Sequence, residues 1–334
     1  MSFMENQVLG YKSPLYGRRT SQFRIRPFDY LESAEKLPGF TNEEKITLYG
    51  ICGGIPDYIS RIDNGLSVEK NTENLFFNPS GRLFEEPSNL LKQELRSPQT
   101  YNAIITAIAF GATKLNEIAS KAGIETSQCS NMLATLINLE IVKKEYPIVD
   151  FSGKTGAGVN GKPSRKTIYR LADFMFRFWY RFVLPELSRV SMGFGKTACA
   201  DVFAKASSGG RLEAYTGPVF EECSSQFLWR EMGRGKYSFT KLGRWCGANS
   251  VEKREEEIDI LATDENKNAL FGECKWKSTK TGTETLDDLT RRSGLFPCFN
   301  EKRFILFSKS GFTAELQKTA AGSKAILIGL KEMF

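Results

Sequence analysis

The clearest alternation of apolar and polar positions lies in the last third of the chain. Residues 256–261 read Glu-Glu-Ile-Asp-Ile-Leu, residues 271–276 read Phe-Gly-Glu-Cys-Lys-Trp, and a polar stretch at 262–268 separates them. Runs of this kind on either side of turn-forming residues are typical of paired strands. The pattern therefore predicts a β-hairpin.

The period of a strand assigns the charged side chains of this hairpin to faces. Successive side chains point to opposite faces, so Asp259 is expected on the face opposite to Ile258 and Ile260. Glu273 and Lys275 are two residues apart and are expected to share a face. An acid from the first strand can then meet an acid and a lysine from the second.

The rest of the last third predicts a small sheet domain. The spacing of apolar residues indicates helices over 217–229 and 285–295 and strands over 302–307 and 325–330. Together with the hairpin, the order is helix, two strands, helix, strand, short helix and strand. This order predicts an α/β domain over residues 201–334.

Residues 98–172 have the order of a winged helix-turn-helix. Helices are expected over 101–110, 115–122 and 126–139. Two strands of a wing are expected to follow, over 140–144 and 166–171. The third helix of such a unit enters the major groove of DNA. Its exposed positions here, such as Gln128 and Asn131, are polar but not basic, so DNA contact and a protein interface both stay open.

Two segments remain. Residues 1–97 contain a capping box at 41–44, which predicts a helix through Tyr49, but they lack the pattern of a self-contained core. Residues 173–200 are rich in aromatic side chains at roughly helical spacing, which predicts a packed connecting helix rather than a base-stacking platform. The fold class predicted for the whole chain is α/β multidomain.

Composition narrows the chemistry. The chain has no histidine, which excludes a Ser-His-Asp triad, a histidine general base and a histidine-ligated metal. Its seven cysteines are an odd number without a Cys-x-x-Cys pair, which argues for a reducing compartment, the cytoplasm, and against a structural zinc site. Scattered cysteines together with acids favour Mg²⁺ or Mn²⁺ as the metal.

Charge and hydropathy limit the partners. The chain is 41% apolar and 25% charged, as is usual for a soluble globular protein, and its net charge of +7 fits a polyanion such as DNA without establishing one. No apolar run approaches the length of a membrane span, and the first residues have no signal-peptide pattern. No membrane partner is expected.

The hairpin carries a residue set suited to metal-assisted hydrolysis. The carboxylates of Asp259 and Glu273 are the oxygen ligands that a hard cation prefers, and Lys275 shares the face of the second acid. The alternative interpretation is a half-exposed hairpin with charges on its solvent face. The small Cys274 between the charges favours the metal site.

A glycine-rich stretch in the predicted wing looks like a phosphate-binding loop but lacks its essential parts. Residues 156–163 read Gly-Ala-Gly-Val-Asn-Gly-Lys-Pro, with proline where the motif needs a hydroxyl and with a strand, not a helix, after it. The Gly-Lys-Thr stretches at 153–155 and 195–197 lack the upstream glycine. No segment of the chain is expected to hold nucleotide phosphates.

The last domain resembles the PD-(D/E)XK restriction-endonuclease-like superfamily. The features that carry this resemblance are a glutamate in the first helix, an aspartate on one strand and Glu-x-Lys on the next. Nearly the whole chain is also similar to the C-terminal part of archaeal-type AAA/STAND ATPases. In those proteins a nucleotide-binding core is followed by a helical lid, a winged helix and a nuclease-like domain. The stretches that carry this resemblance are 13–20, 53–58, 217–221, 242–245, 257–260 and 272–276.

The resemblance implies a domain order for the chain. The expected parts are a remnant of the AAA ATPase core and helical lid over 1–97, a winged helix over 98–172, a connecting helix over 173–200 and a PD-(D/E)XK nuclease-like domain over 201–334.

The same resemblance assigns roles in the last domain. Asp259 and Glu273 would bind Mg²⁺ or Mn²⁺, with the backbone carbonyl of Cys274 as a further ligand. Glu221 would complete the site or orient water, and Lys275 would position or activate the attacking water. The implied catalytic set is Glu221, Asp259, Glu273 and Lys275.

The chain departs from the family in one large respect. The family's Walker A and Walker B elements lie upstream of the stretch at 13–20, where Arg18 or Arg19 resembles an arginine offered to a γ-phosphate, with a structural arginine pair as the alternative. The chain is therefore expected to be a truncated ATPase without ATP hydrolysis of its own, whose partner is the missing N-terminal half or a nucleotide-binding protein. A metal-dependent DNA nuclease and a non-catalytic module that binds nucleic acid or a partner are the two functions left open.

Overall fold

The computed structural model describes residues 25–95, 97–148, 167–204, 210–249, 252–323 and 325–334, together with Tyr11, Ser13, Thr20, Ser21 and Phe23. The chain divides into two compact units. The first unit comprises residues 1–28, 50–145 and 168–201, and the second comprises residues 29–49, 146–167 and 202–334. The expectations for Arg18 and Arg19 and for the glycine-rich stretch at 153–163 lie outside the described residues.

Helices make up most of the described regular structure. They are α1 (Tyr30–Glu35), α2 (Asn42–Cys52), α3 (Pro56–Ile59), α4 (Val68–Phe76), α5 (Glu86–Glu94), α6 (Pro98–Ala109), α7 (Leu115–Ala122), α8 (Thr126–Asn138), α9 (Phe174–Phe178), α10 (Leu187–Arg189), α11 (Gly195–Phe203), α12 (Arg211–Gly233), α13 (Thr283–Ser293), α14 (Ala314–Ser323) and α15 (Leu330–Met333). Within the described stretches, none of these helices has the length and apolar character needed to cross a membrane.

The strands fall into two sheets. They are β1 (Val142–Glu145), β2 (Ile168–Leu171), β3 (Lys241–Asn249), β4 (Arg254–Thr263), β5 (Ala269–Lys275), β6 (Lys302–Ser308) and β7 (Ile326–Gly329). β1 pairs with β2, and the other five form one mixed sheet in the order β3-β4-β5-β6-β7.

In the first unit, three helices precede the two-stranded sheet. α6, α7 and α8 are followed by β1 and β2, which pair in antiparallel fashion with Val142 opposite Leu171. Gly123 ends α7 at a φ of 68°, where the absence of a Cβ makes the left-handed turn inexpensive. These helices and strands lie where the sequence pattern predicts them.

The aromatic segment after β2 is buried but is not one continuous helix. Phe178 and Trp179 are almost fully buried, and the Trp179 Nε1–H donates a hydrogen bond to the Phe84 carbonyl at 2.7 Å. Short π and 3-10 turns alternate with α9, α10 and α11, because Pro185 lacks an amide hydrogen and Gly193 takes a φ of 90°. The single connecting helix expected over 173–200 is thus a series of short segments.

The sheet of the second unit contains the predicted hairpin. β3–β4 and β4–β5 are antiparallel, whereas β5–β6 and β6–β7 are parallel. The hairpin is confirmed as β4 and β5. β3 was not predicted, because Gly243 and Gly247 interrupt its apolar pattern and glycine is depleted in strands.

A bulge in the β3–β4 ladder lies beside Asp259. The pairing shifts by one residue, so residues 259–260 of β4 lie opposite Arg244 alone. Ile258 consequently packs in one cluster with Leu261, although residues three apart on a regular strand face opposite ways. The regular alternation expected around Asp259 is therefore interrupted.

One hydrophobic cluster joins the sheet to α13 and α14. Its largest contributions come from side chains that are nearly inaccessible to solvent: Trp245, Ile258, Leu261, Phe271, Leu289, Phe296, Leu306 and Leu316. Gly272 lies in the middle of the sheet, where an added Cβ would come within 2.8 Å of the Ile260 Cβ. This crowding fixes β4 and β5 close together directly before the charged residues of the hairpin.

Residues 29–49 pack with the C-terminal part of the chain. The Tyr30 hydroxyl donates a hydrogen bond to the Met333 carbonyl at 2.7 Å, and Arg230 pairs with Asp29 at 2.5 Å. Residues 29–49 therefore belong to the second unit, although the sequence pattern grouped them with the rest of 1–97. No local pattern indicates this, because the residues that make these contacts are far apart in the chain.

Candidate functional site

The two acids of the hairpin meet where the β4–β5 ladder stops. The last pair of the ladder is Ile260 with Gly272, and the same register would next set Asp259 opposite Glu273. Asp259 Oδ2 accepts a hydrogen bond from the Cys274 N–H at 2.9 Å. The aspartate side chain thus takes the place of a backbone partner and is held against β5.

Glu273 is a buried acid with two cationic neighbours. Its side chain is only 7% exposed, and Lys275 Nζ donates a hydrogen bond to Oε1 at 2.6 Å. Arg292 Nη2 lies 3.0 Å from Oε2. No hydrogen bond from the described residues reaches Oε2, so this buried oxygen keeps lone pairs that a cation can use.

The carboxyl group of Asp259 is hard to ionise in this position. Burial, followed by the negative charge of Glu273, raises the pKa of Asp259 from 3.8 to about 6. The Cys274 N–H and the charges of Arg244 and Lys275 act in the opposite direction but do not cancel the shift. Added positive charge would relieve the repulsion within this pair, which is the electrostatic property expected of a divalent-cation site.

Glu221 lies on α12 and is connected to this pair through an arginine. Its Oε2 contacts Arg244 Nη2, and the two side chains are each 18% exposed. Arg244 Nη1 also lies 2.6 Å from Glu257 Oε1. Because the charge of Arg244 acts on the pKa of Asp259, the arginine links Glu221 to Asp259 electrostatically.

The structure therefore brings Asp259, Glu273 and Lys275 together and leaves Glu221 in an ion pair. Among the described residues, no three His, Cys, Asp or Glu side chains are placed to hold a metal ion. A cation held by Asp259 and Glu273 would need its remaining ligands from main-chain carbonyls or water.

Cys274 would contribute its backbone to such a site, because alternation along β5 points its side chain away from the face shared by Glu273 and Lys275. Burial raises the pKa of its thiol well above the usual 9, so the sulfur is protonated at neutral pH when no metal is bound. The carbonyl ligand implied by the resemblance stays a prediction.

Two arginines of the site were missed by reasoning from sequence. Arg244 lies on β3 opposite the bulge of β4, and Arg292 lies in the last turn of α13 with a side chain that is 12% exposed. Both are distant in sequence from the acids that they contact, and α13 carries Arg291 beside Arg292 with no pattern that tells them apart. A buried cation beside a buried acid was the missing signal, and it is visible only in three dimensions.

The fold and the site define a class: a mixed five-stranded sheet that carries an acidic pair next to a lysine at the end of a hairpin. Residues 179–286 match the DUF234 family, described as "Archaea bacterial proteins of unknown function". The matched stretch includes the hairpin and all four predicted catalytic residues.

One curated relative is similar over most of the chain. This uncharacterized protein of Methanocaldococcus jannaschii is 32% identical over 304 residues, which cover 88% of the present chain and 62% of the relative. The chain thus spans about 62% of the length of the curated relative that it matches.

Two solved structures have weak similarity. Protein AF1548, of unknown function, has a TM-score of 0.26 and 17% identity, with 33% of the present chain and 58% of that chain covered. Protein VC1899 from Vibrio cholerae has a TM-score of 0.29 and 14% identity, with 80% and 54% covered.

Proposed function

We propose that the second unit is a divalent-metal-dependent nuclease that hydrolyses phosphodiester bonds of DNA. The observation that carries this proposal is the meeting of Asp259 and Glu273 beside Lys275, with the pKa of Asp259 raised by burial and by its neighbour. A cation-binding pair with an adjacent lysine supplies the charges that this reaction requires without any histidine.

The residues take separate roles in this proposal. Asp259 and Glu273 would hold Mg²⁺ or Mn²⁺, and Lys275 would leave Glu273 Oε1 to orient the attacking water and offset charge on the phosphate. Glu221 would act from α12 by fixing Arg244 near Asp259. When bound, the metal would lower the pKa of the water and stabilise negative charge on the phosphate oxygens.

The direct test is cleavage of plasmid and single-stranded DNA with Mg²⁺ or Mn²⁺, compared with EDTA. We expect Asp259→Ala and Lys275→Ala each to lower the metal-dependent rate by about 100-fold or more. The matched controls are Glu255→Ala, on the same strand as Asp259, and Lys267→Ala, in the turn between β4 and β5, because both side chains are exposed. Equal rates in wild type and both site variants would overturn the proposal.

For the first unit we propose a winged helix that contacts DNA or a protein partner. The order of α6, α7, α8, β1 and β2 supports it. The resemblance further supports an AAA/STAND ATPase context, in which a nucleotide-binding part acts as the partner of this chain. Isothermal titration calorimetry should then show no ATP binding by this chain alone, and a measurable affinity would contradict the assignment.

A non-catalytic module that binds nucleic acid or a partner is the second candidate. It is favoured by the cations on either side of Glu273, since Lys275 and Arg292 already compensate its charge. This candidate predicts DNA binding that weakens steeply with salt, through loss of phosphate contacts, without metal-dependent cleavage. Fluorescence anisotropy across a salt series, run beside the cleavage assay, separates the two functions.

A further inference from the structure

Arg292 uses three guanidinium nitrogens to contact three different groups. Its Nε donates to the Asp288 carbonyl at 3.3 Å, its Nη1 donates to the Glu257 carbonyl at 2.5 Å, and its Nη2 lies 3.0 Å from Glu273 Oε2. The guanidinium thereby connects α13 with both β4 and β5. It does so within two residues of Asp259, close to the point where the ladder stops.

The contact with Glu273 differs in kind from the other two. The contacts with Asp288 and Glu257 are hydrogen bonds to main-chain carbonyls, whereas no hydrogen bond from the described residues reaches Glu273 Oε2. Charge attraction between poorly solvated groups is what holds this third contact. Arg292 would therefore stay anchored by the main chain if Glu273 took another cation.

Lys275 holds the other oxygen of the same carboxylate more directly. Its Nζ donates to Oε1 at 2.6 Å, and its side chain is 35% exposed against 12% for Arg292. Oε2 is thus the oxygen of Glu273 that is free of hydrogen bonds and faces a buried positive charge. A divalent cation shared with Asp259 would compete for this oxygen.

We infer that Arg292 is a resident cation that neutralises Glu273 and competes with a divalent metal for Oε2. The inference rests on the metal site of the proposed function and makes Arg292 a positioning residue for that site. Metal binding exchanges one positive charge for another, and Arg292 lowers the apparent metal affinity. Removing its charge should tighten metal binding even though it breaks an ion pair.

Neighbouring Arg291 provides a matched control. It lies on the same turn of α13, but it pairs with Glu252 and Glu256 instead of Glu273. Mn²⁺ affinity, measured by electron paramagnetic resonance of free Mn²⁺, should be about tenfold tighter in Arg292→Gln than in wild type. Arg291→Gln and the charge-preserving Arg292→Lys should stay close to wild type.

A second measurement covers the case in which Arg292→Gln does not fold. In the wild-type protein, ¹⁵N spectra of arginine side chains should show the Arg292 signal moving on addition of Mg²⁺ while the Arg291 signal stays in place. The inference would be overturned by an Arg292 signal that does not change. It would also be overturned if a folded Arg292→Gln variant bound Mn²⁺ with an affinity equal to or weaker than that of wild type. Absence of Mn²⁺ binding in every variant would overturn it as well.

Failure of this inference is distinguishable from failure of the proposed function. If DNA is cleaved in a metal-dependent way and Mn²⁺ affinity is the same in wild type and Arg292→Gln, the competition is rejected and the nuclease function is retained. If the Mn²⁺ affinities follow the expected order but no DNA is cleaved, the competition is supported and the nuclease function is rejected.

Discussion

Two buried glutamates on neighbouring strands have closely similar surroundings and opposite electrostatics. Glu256 on β4 is 8% exposed and pairs with Arg254, two residues before it. Glu273 on β5 is 6% exposed and pairs with Lys275, two residues after it. α13 supplies each with a second cation, Arg291 to the first and Arg292 to the second.

The two glutamates differ in the second acid that lies near each of them. Burial acts to raise the pKa of Glu256, but hydrogen bonds from Arg291 and Arg254 lower it below its usual value. Near Glu273, by contrast, burial and the neighbouring charge raise the pKa of Asp259 to about 6. Near Glu256 the second acid is Glu252, which pairs with the same two arginines and has a side chain that is 34% exposed. Near Glu273 the second acid is Asp259, whose ionisation is opposed by burial and by the charge of Glu273. The number of ion pairs does not separate the two regions, but the burial of the second acid does.

Replacing each glutamate should break the comparison most sharply. Glu273→Gln removes a proposed metal ligand and should lower metal-dependent cleavage by about 100-fold or more, whereas Glu256→Gln should change it by less than about threefold. Initial rates at saturating Mg²⁺, with both proteins checked by circular dichroism, measure the contrast. Equal losses in the two variants would mean that both glutamates act through stability.

The pH dependence of stability should differ in sign between the two regions. The pKa of Asp259 in the folded protein lies above its unfolded value of 3.8, so its contribution is fully present below about pH 4 and is lost as pH rises through about 6. Asp259→Asn should therefore stabilise the metal-free protein by roughly 3 kcal/mol at about pH 7.5 and leave it nearly unchanged at about pH 4.

Glu256 has the opposite sign, since its lowered pKa contributes stability that is present above the unfolded value of 4.5 and is lost as pH falls. Urea unfolding of wild type, Asp259→Asn and Glu256→Gln with EDTA across this pH range checks both signs. A wild-type advantage over Asp259→Asn at neutral pH would contradict the raised pKa.

Removing the strand cations should give the smallest contrast. Lys275→Met leaves a buried acid with less compensation and should destabilise the metal-free protein by about 1 kcal/mol. Arg254→Met should cost less than about 0.5 kcal/mol, because the Arg254 side chain is 55% exposed and Arg291 still pairs with Glu256. Thermal unfolding of the two variants in the same buffer tests this order, and a larger loss for Arg254→Met would reverse it.

Local patterns sufficed for the hairpin and for the acids that it carries. The two-residue period and the polar turn predicted β4 and β5, and the same period put Glu273 and Lys275 on one face. The capping box predicted at 41–44 is confirmed, since the Thr41 N–H donates to Glu44 Oε2 at 2.8 Å and the Glu44 N–H donates to Thr41 Oγ1 at 3.3 Å. The helix that follows, α2, begins at Asn42. Each of these features depends on residues close together in the chain.

What the sequence could not supply depends on contacts between distant residues. β3 has too many glycines to read as a strand, so the bulge that contains Asp259 and the position of Arg244 opposite it had no visible signal. Glu221 was expected to complete the acidic site or to orient water, and its ion pair with Arg244 was not foreseen. Arg291 and Arg292 are identical in type and adjacent, and only the packing of α13 decides which of them meets Glu273.

The hydrogen bond between Tyr30 and Met333 has a practical consequence for dissecting the protein. A fragment that starts at residue 202 would include the whole five-stranded sheet but would lose the helix that covers its last residues. Tyr30 also packs edge-on against Phe334, with ring centroids 5.5 Å apart, so that fragment would leave an apolar C-terminus uncovered. A separable version of this unit has to carry residues 29–49 as well, joined to it by a designed linker or added as a second chain.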